Sequence, residues 1–148
     1  MDKKRFQDEK KILSDFYNEV WVVCPSCQKK AVAKVDFEKQ QARLICSYCG
    51  FHKEKQTRLP FLGAEVQVHT AADFYFGSEL WLQAPFKSDR FFAYNAEHLE
   101  YLERYISASL REHKDRTGFT LLEKLPKFYH EAKNREALLN IIKRLKKK

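Results

Sequence analysis

The spacing of apolar residues changes along the chain. Between residues 20 and 55, short runs rich in β-branched and apolar residues, such as Val20-Trp21-Val22-Val23, predict β-strands. Ala31, Ala33, Val35 and Phe37 fall on a single face of another predicted strand, because side chains alternate between the two faces. From residue 96 onward, apolar residues recur every three or four positions, as in an amphipathic helix. The pattern predicts an α+β fold with short antiparallel strands first and helices last.

The predicted elements follow this division. Val66 and Val68 are expected to face inward from one of the later strands, and Pro85 is expected to end another. Asn95 is a predicted N-cap, since its side chain can accept a hydrogen bond from a free backbone N–H, and Asn134 is predicted to cap the last helix. Helices are predicted at residues 3–18, 96–112, 126–132 and 135–148, and strands at residues 20–23, 31–37, 43–45, 51–55, 65–69, 79–83 and 91–94.

Four cysteines lie within the first group of strands. Cys24 and Cys27 form one C-x-x-C pair, and Cys46 and Cys49 form a second pair after 18 intervening residues. This spacing is typical of a zinc site with four thiolate ligands, in which each pair supplies two sulfurs from one tight turn. A four-thiolate site is closed and leaves no coordination position for an activated water. The sequence therefore predicts one structural Zn²⁺ ion.

The residue after each cysteine pair closes the turn. Gly50 can adopt the positive φ that such a turn often requires, whereas Gln28 stands in the equivalent position of the first pair. His52, three residues past Cys49, is a less favoured alternative for the fourth ligand. The sequence alone does not decide whether the two turns share one geometry.

Other interpretations of the cysteines are less consistent with the sequence. A thioredoxin-like redox motif would use one C-x-x-C, and two structural disulfides would need an oxidising compartment. A zinc deaminase needs H-x-E ahead of P-C-x-x-C, whereas His98 and Glu100 come after both pairs. Zinc remains the favoured interpretation.

Charge is distributed unevenly along the 148 residues, whose formal net charge is +8. Residues 21–60 carry eight basic and three acidic side chains, and residues 101–148 carry thirteen and six. Residues 61–100 are acidic and rich in aromatic side chains. The two basic segments favour an acidic partner such as nucleic acid, although lysine-rich surfaces also serve solubility alone.

The cysteine pairs and their flanking strands resemble a rubredoxin-like zinc ribbon, a fold found in transcription factors, polymerase subunits and ribosomal proteins. Further segments extend the likeness over most of the chain: Phe76-Gly77, Leu80-Trp81-Leu82-Gln83, Tyr94-Asn95, His98-Leu99, Leu102-Glu103, Tyr105, Leu125-Pro126-Lys127 and Ala132-Lys133-Asn134-Arg135. Together they resemble a bacterial zinc-ribbon protein family whose members carry no assigned activity. This resemblance implies a ribbon and an α/β part in one structural unit.

Three regions are therefore expected. Residues 1–19 would form an N-terminal helix, and residues 20–59 the four-cysteine zinc ribbon, a small antiparallel β-structure. Residues 60–148 would form a short β meander followed by the C-terminal helices.

The favoured function is non-enzymatic binding of RNA or DNA through basic surfaces of the ribbon and the last helix. No known sequence-reading motif is visible, so weak sequence specificity is expected. The candidate phosphate contacts are Lys29, Lys30, Lys34, Arg43, Lys53, Lys55, Lys143, Arg144 and Lys146.

Two other functions stay open. A protein-interaction adaptor, such as a cognate immunity protein or antitoxin, would use the aromatic segment 61–100 as its interface. An enzyme is less favoured, because the only catalytic candidates, Asp73, His69 and His98, form no known motif. No apolar run of 18 residues and no signal-peptide pattern is visible, so we expect a cytoplasmic protein with neither a membrane nor a small molecule as its partner.

Overall fold

The computed structural model describes residues 5–6, 16–108, 110–111 and 127–148. The fold is α+β, as predicted: antiparallel strands carry the cysteines, and the helices follow towards the C-terminus. Residues 16–95 form one compact unit, and the described parts of residues 1–15 and 96–148 form another. Within these described ranges, no helix combines the length and apolar character needed to cross a membrane.

The elements are numbered in chain order. The strands are β1 (Arg5–Phe6), β2 (Glu19–Val23), β3 (Lys30–Asp36), β4 (Gln41–Ile45), β5 (His52–Gln56), β6 (Arg58–Phe61), β7 (Ala64–Gln67), β8 (Leu82–Phe86), β9 (Asp89–Ala93) and β10 (Leu110–Arg111). The α-helices are α1 (Ala96–Ser107) and α2 (Arg135–Lys146), and short 3-10 turns occur at Phe74–Phe76, Lys127–Tyr129 and Ala132–Asn134.

A four-stranded antiparallel sheet, in the order β2-β3-β4-β5, forms the centre of the first unit. Burial alternates along β2, β3 and β4, as predicted for residues 31–37, because successive side chains of a strand point to opposite faces, whereas β5 is exposed throughout. The inner face consists of the buried residues Val20, Val22, Ala31, Ala33, Val35, Ala42 and Leu44. The opposite face, called the outer face below, carries Trp21, Val32, Lys34, Arg43 and Ile45.

Backbone hydrogen bonds cover the free edge of β2. The N–H of Val23 donates to the carbonyl of Glu79 at 2.9 Å, and the N–H of Trp81 donates to the carbonyl of Trp21 at the same distance. The side-chain amide of Asn95 donates to the carbonyl of Glu19 at 2.7 Å. Residues 79–95 therefore fix the position of the strand that leads into the first cysteine pair.

Two expectations for the later strands were wrong. Val66 lies in the β6–β7 hairpin and is 42% exposed, so it does not face inward. Pro85 lies within β8 instead of ending it, opposite Arg90 in the two-stranded β8–β9 hairpin. Proline is tolerated on such strands because its missing N–H falls where no ladder bond is needed.

The second unit contains α1 and α2, which contact each other. The predicted apolar stripe of α1 is buried at Leu99, Leu102 and Ile106. That helix ends at Ser107, earlier than predicted, and β10 pairs in parallel with β1. The buried apolar residues of α2 are Leu138, Ile141, Ile142 and Leu145.

The helix predicted at residues 126–132 is replaced within the described residues by the two 3-10 turns. Asn134 occupies the predicted N-cap position of α2, but its side chain makes no capping bond, and its amide donates instead to the carbonyl of Phe128 at 3.2 Å. Most of the N-terminal helix predicted at residues 3–18 lies outside the described residues. The division into regions at residues 20–59 and 60–148 stays a prediction.

The two faces of β4 provide a test of the register. Leu44 is 1% exposed on the inner face, and Ile45 is 46% exposed on the outer face. Leu44→Ala is expected to lower the free energy of unfolding by about 2–5 kcal/mol, since it leaves a cavity in the core. Ile45→Ala, the matched control, is expected to cost about 1 kcal/mol or less. Urea unfolding of the metal-loaded protein measures both, and a larger loss for Ile45→Ala than for Leu44→Ala would indicate that the strand is shifted by one residue.

Candidate metal centre

Both cysteine pairs occupy the same position in a hairpin. Cys24 directly follows β2, and Cys46 directly follows β4. The second cysteine of each pair lies in the turn that leads to β3 or β5. Because β2, β3, β4 and β5 are consecutive and antiparallel, both turns lie at the same end of the sheet. The fold therefore brings together two cysteine pairs that are far apart in sequence.

The two turns repeat the same backbone hydrogen bonds. The N–H of Gln28 donates to the carbonyl of Cys24 at 3.0 Å, and the N–H of Gly50 donates to the carbonyl of Cys46 at 3.0 Å. The residue after each pair is in the left-handed region, with φ of 67° for Gln28 and 79° for Gly50. The left-handed conformation is therefore unfavourable for Gln28 in the first turn, whereas glycine adopts it freely in the second turn.

The four sulfur atoms converge on one point. The Sγ atoms of all four cysteines lie within 4.8 Å of one another. The Sγ atoms of Cys24 and Cys49 are 3.7 Å apart, and those of Cys27 and Cys46 are 3.6 Å apart. A tetrahedral ion with metal–sulfur bonds of about 2.3 Å would separate its sulfurs by about 3.8 Å. The donor set therefore fits a tetrahedral metal ion, although it does not identify the metal.

Burial differs among the four ligands. Cys24 and Cys46, the first cysteine of each pair, are fully buried beneath the sheet end, whereas Cys49 is exposed. The backbone N–H of Ser26 donates to the Sγ of Cys24 at 3.4 Å. Such bonds stabilise a thiolate, because they bring the positive end of a peptide dipole to the sulfur.

The thiols do not ionise alike. Burial raises the pKa of Cys46, but the backbone N–H groups of Cys49 and Tyr48, together with neighbouring thiols, lower it to about 7. The Lys29 backbone N–H lowers the pKa of Cys27, but burial and the other three thiols raise it to about 12. A divalent cation among the sulfurs would favour the thiolate form of all four, so its binding would release protons.

His52, which was the alternative metal ligand, and the three catalytic candidates are not members of the sulfur cluster. The Nε2 of His52 lies 3.5 Å from a carboxylate oxygen of Glu54, and this histidine is not part of the sulfur cluster. His69 stacks on the ring of Phe37 with centroids 4.4 Å apart. His98 is buried in the other unit, and burial lowers its pKa to about 4. Burial raises the pKa of Asp73.

The candidate phosphate contacts fall into separate groups. Lys30, Lys34 and Arg43 line a trough of about 380 Å³ on the outer face, together with Glu19, Val32, Ile45 and Ser47. Lys53 and Lys55 lie in register with Leu44 and Ala42, so they point to the other side of the sheet. Lysines on an edge strand such as β5 also disfavour pairing with a strand of another chain.

The remaining candidates lie in the second unit. Lys143, Arg144 and Lys146 are exposed on α2, and the Nζ of Lys146 lies 2.6 Å from a carboxylate oxygen of Glu103. This ion pair and the C-terminal end of the helix dipole account for part of the basic character there.

Two aromatic residues beside the metal centre were missed by the sequence analysis. Tyr48 lies inside the second cysteine turn and is 61% exposed, and the Nζ of Lys29 lies 5.1 Å from the centroid of its ring. The Nζ of Lys30 lies 3.9 Å from the centroid of the Trp21 ring. A signal was present in the sequence, because Lys29 and Lys30 directly follow the first turn and the second turn reads C-S-Y-C.

Comparison with protein families, curated proteins and solved structures found no match to this chain. The class defined by the fold and the cysteines is therefore an α+β protein with a candidate four-cysteine metal centre. The likeness to a bacterial zinc-ribbon family stays a prediction.

The left-handed residues provide a test of the turn geometry. A Cβ built on Gly50 meets no atom within 4 Å, so Gly50→Ala changes only the backbone preference. Alanine is expected to destabilise the left-handed turn by about 1–2 kcal/mol relative to glycine. Because folding of the turn is coupled to metal binding in this account, the metal affinity is expected to fall about tenfold. Competition with a chromophoric chelator measures the affinity. Gln28→Gly, the matched control, is expected to bind the metal equally or more tightly. An unchanged affinity for Gly50→Ala would contradict the left-handed turn.

Proposed function

We propose that this chain is a zinc-ribbon module in which one Zn²⁺ ion joins the two cysteine turns. One observation carries the proposal: the sulfur separations of 3.6 and 3.7 Å join a cysteine of one turn to a cysteine of the other. Zinc suits this donor set because it has no electronic preference that opposes a tetrahedron of thiolates. Cysteines that act as thiolate ligands must also stay reduced, which agrees with the expected cytoplasmic location.

The ion in this proposal is structural. Four protein sulfurs complete its coordination shell, so neither water nor substrate has a position on it. Its role is to fix the ends of β2 and β4 against each other. The protein then acts by binding a partner and not by catalysis.

The zinc-loaded chain is expected to contain one zinc ion per molecule by elemental analysis. Cys27→Ser is expected to lose or weaken zinc binding, because a hydroxyl is a poor substitute for a thiolate ligand. Ser26→Ala, an exposed neighbour in the same turn, is the control and should retain the ion.

Removal of zinc by a strong chelator should unfold the ribbon sheet, since ribbon folding is coupled to metal binding. Circular dichroism and faster hydrogen exchange of residues 20–56 would report the loss. A chelated protein with unchanged dichroism and exchange would contradict the structural role.

We further propose that the partner is nucleic acid, bound at the outer face. Support comes from Lys30, Lys34 and Arg43, which project from the same face of two adjacent strands and line one trough. Lys34 lies 4.0 Å from Glu19, and Arg43 lies 3.1 Å from Glu54. Exposed ion pairs of this kind are weak, so both cations can exchange a carboxylate for a phosphate at small cost.

Lys29 joins this group because its Nζ lies 5.1 Å from the centroid of the Tyr48 ring, and Tyr48 directly follows Ser47, which lines the trough. Lys53 and Lys55 are left out, since they point to the other side of the sheet. The cations of α2 are left out because they belong to the other unit. The proposed surface therefore has four basic side chains.

Binding of labelled oligonucleotides to the zinc-loaded chain is expected to weaken linearly on a plot of log affinity against log salt. Four phosphate contacts predict a slope of about −3 for a single strand, because each contact contributes about 0.7. Lys34→Ala should reduce the magnitude of the slope by about 0.7, whereas Lys55→Ala on the other side should not change it. Fluorescence anisotropy over a salt series measures both. Absence of salt-dependent binding would sink the nucleic-acid proposal.

A protein partner is the second candidate, and one hairpin favours it. The β6–β7 hairpin exposes Phe61 by 64%, Leu62 by 91% and Val66 by 42%. Exposed apolar side chains in a cluster are typical of protein interfaces. An adaptor of the immunity-protein or antitoxin kind would use this hairpin.

A further inference from the structure

We propose that the ligand is a single strand of RNA or DNA whose bases stack on the rings of Tyr48 and Trp21 at one end of the outer-face trough. This inference rests on the nucleic-acid function proposed above. It adds two binding residues and excludes a duplex as the preferred ligand.

The two rings and their cations belong to one patch of surface. Lys29 lies over Tyr48, and Lys30 lies over Trp21. Lys30 also lines the trough, as does Ser47, the residue directly before Tyr48. Each cation–ring pair is therefore at the trough or one residue away from it, on the side of the metal centre.

The cation–ring pairs suit a nucleotide chemically. An exposed cation–π contact is weak, so the ammonium group can move from the ring to a phosphate when a ligand arrives. The face of the ring then becomes available to a base. Base–aromatic stacking combined with a basic groove is the usual way in which proteins hold single strands without reading their sequence.

The floor of the trough favours a single strand over a duplex. Val32 and Ile45 lie between the cations, in register across β3 and β4. The outside of a duplex presents sugars and phosphates, which gain little from apolar side chains or ring faces. A single strand can turn its bases towards the protein and its phosphates towards Lys34 and Arg43. A single strand would then contact the apolar floor, the two aromatic rings and the cations at the same time.

The test uses anisotropy of labelled oligothymidylate and oligouridylate with the zinc-loaded full chain, each probe as a single strand and as a duplex with its complement. Single strands are expected to bind at least about tenfold more tightly than duplexes. Tyr48→Ala is expected to weaken single-strand binding about tenfold, the usual order for loss of one stacked base. Tyr48→Phe keeps the ring and should retain most of the affinity.

Phe61→Ala is the matched control. Phe61 is 64% exposed, close to the 61% of Tyr48, and in the described part of the chain no cation lies over its ring. Its loss should leave the affinity unchanged. Zinc content, measured on every variant, separates loss of stacking from damage to the cysteine turn.

The outcomes distinguish this inference from the function on which it rests. Binding of neither single strands nor duplexes would overturn both and direct the search to a protein partner. Salt-dependent binding that prefers duplexes would overturn only the single-strand inference. Binding that Lys34→Ala weakens but Tyr48→Ala does not would likewise overturn stacking while keeping the nucleic-acid function. Comparison of oligouridylate with oligodeoxyuridylate, which differ only in the 2′-hydroxyl group, decides between RNA and DNA.

Discussion

The structure of residues 16–95 depends on one constraint, the convergence of four sulfur atoms on a single point. Two C-x-x-C turns can meet only if the hairpins β2–β3 and β4–β5 have their turns at the same end of the sheet, which the antiparallel strand order β2-β3-β4-β5 provides. The constraint also sets the backbone of each turn. Both turns must present their sulfurs in the same way, so Gln28 and Gly50 both adopt a left-handed backbone conformation. This conformation is free of steric cost for glycine, whereas the side chain of Gln28 disfavours it.

The outer face follows from the same constraint. Once the cysteines fix the ends of β2 and β4, the register of the sheet is set, and alternation decides which residues lie inside. Leu44 lies on the inner face and Arg43 on the outer one, so the cations of two strands collect on one surface. In the proposed function, an ion among the sulfurs would therefore have two consequences: it would stabilise the sheet, and it would hold the turn that carries Tyr48, with Lys29 over its ring, beside the end of the trough.

The sequence allowed the α+β class, the alternation of β3 and the grouping of the cysteines to be predicted, since each depends on local periodicity or on spacing. Errors occurred where tertiary context decides. Val66 alternates as a buried strand residue does, yet its hairpin leaves it exposed. Asn134 does stand at the start of α2, but its amide bonds the carbonyl of Phe128 in the preceding 3-10 turn, which the sequence analysis did not predict. The separation of Lys30 and Lys34 from Lys53 and Lys55 depends on pairing register, which composition does not show. Tyr48 was overlooked because the sequence shows a tyrosine in the second cysteine turn and two lysines after the first, but not that the fold places Lys29 over the tyrosine ring.

X-ray absorption spectroscopy at the zinc edge of the purified protein tests the central claim most directly, because it reports which atoms surround the ion and at what distance. A first shell of four sulfur atoms at about 2.3 Å is the predicted result. A shell that contains nitrogen or oxygen atoms, as it would if His52 or water replaced one cysteine, would contradict the closed four-thiolate centre and the structural role derived from it.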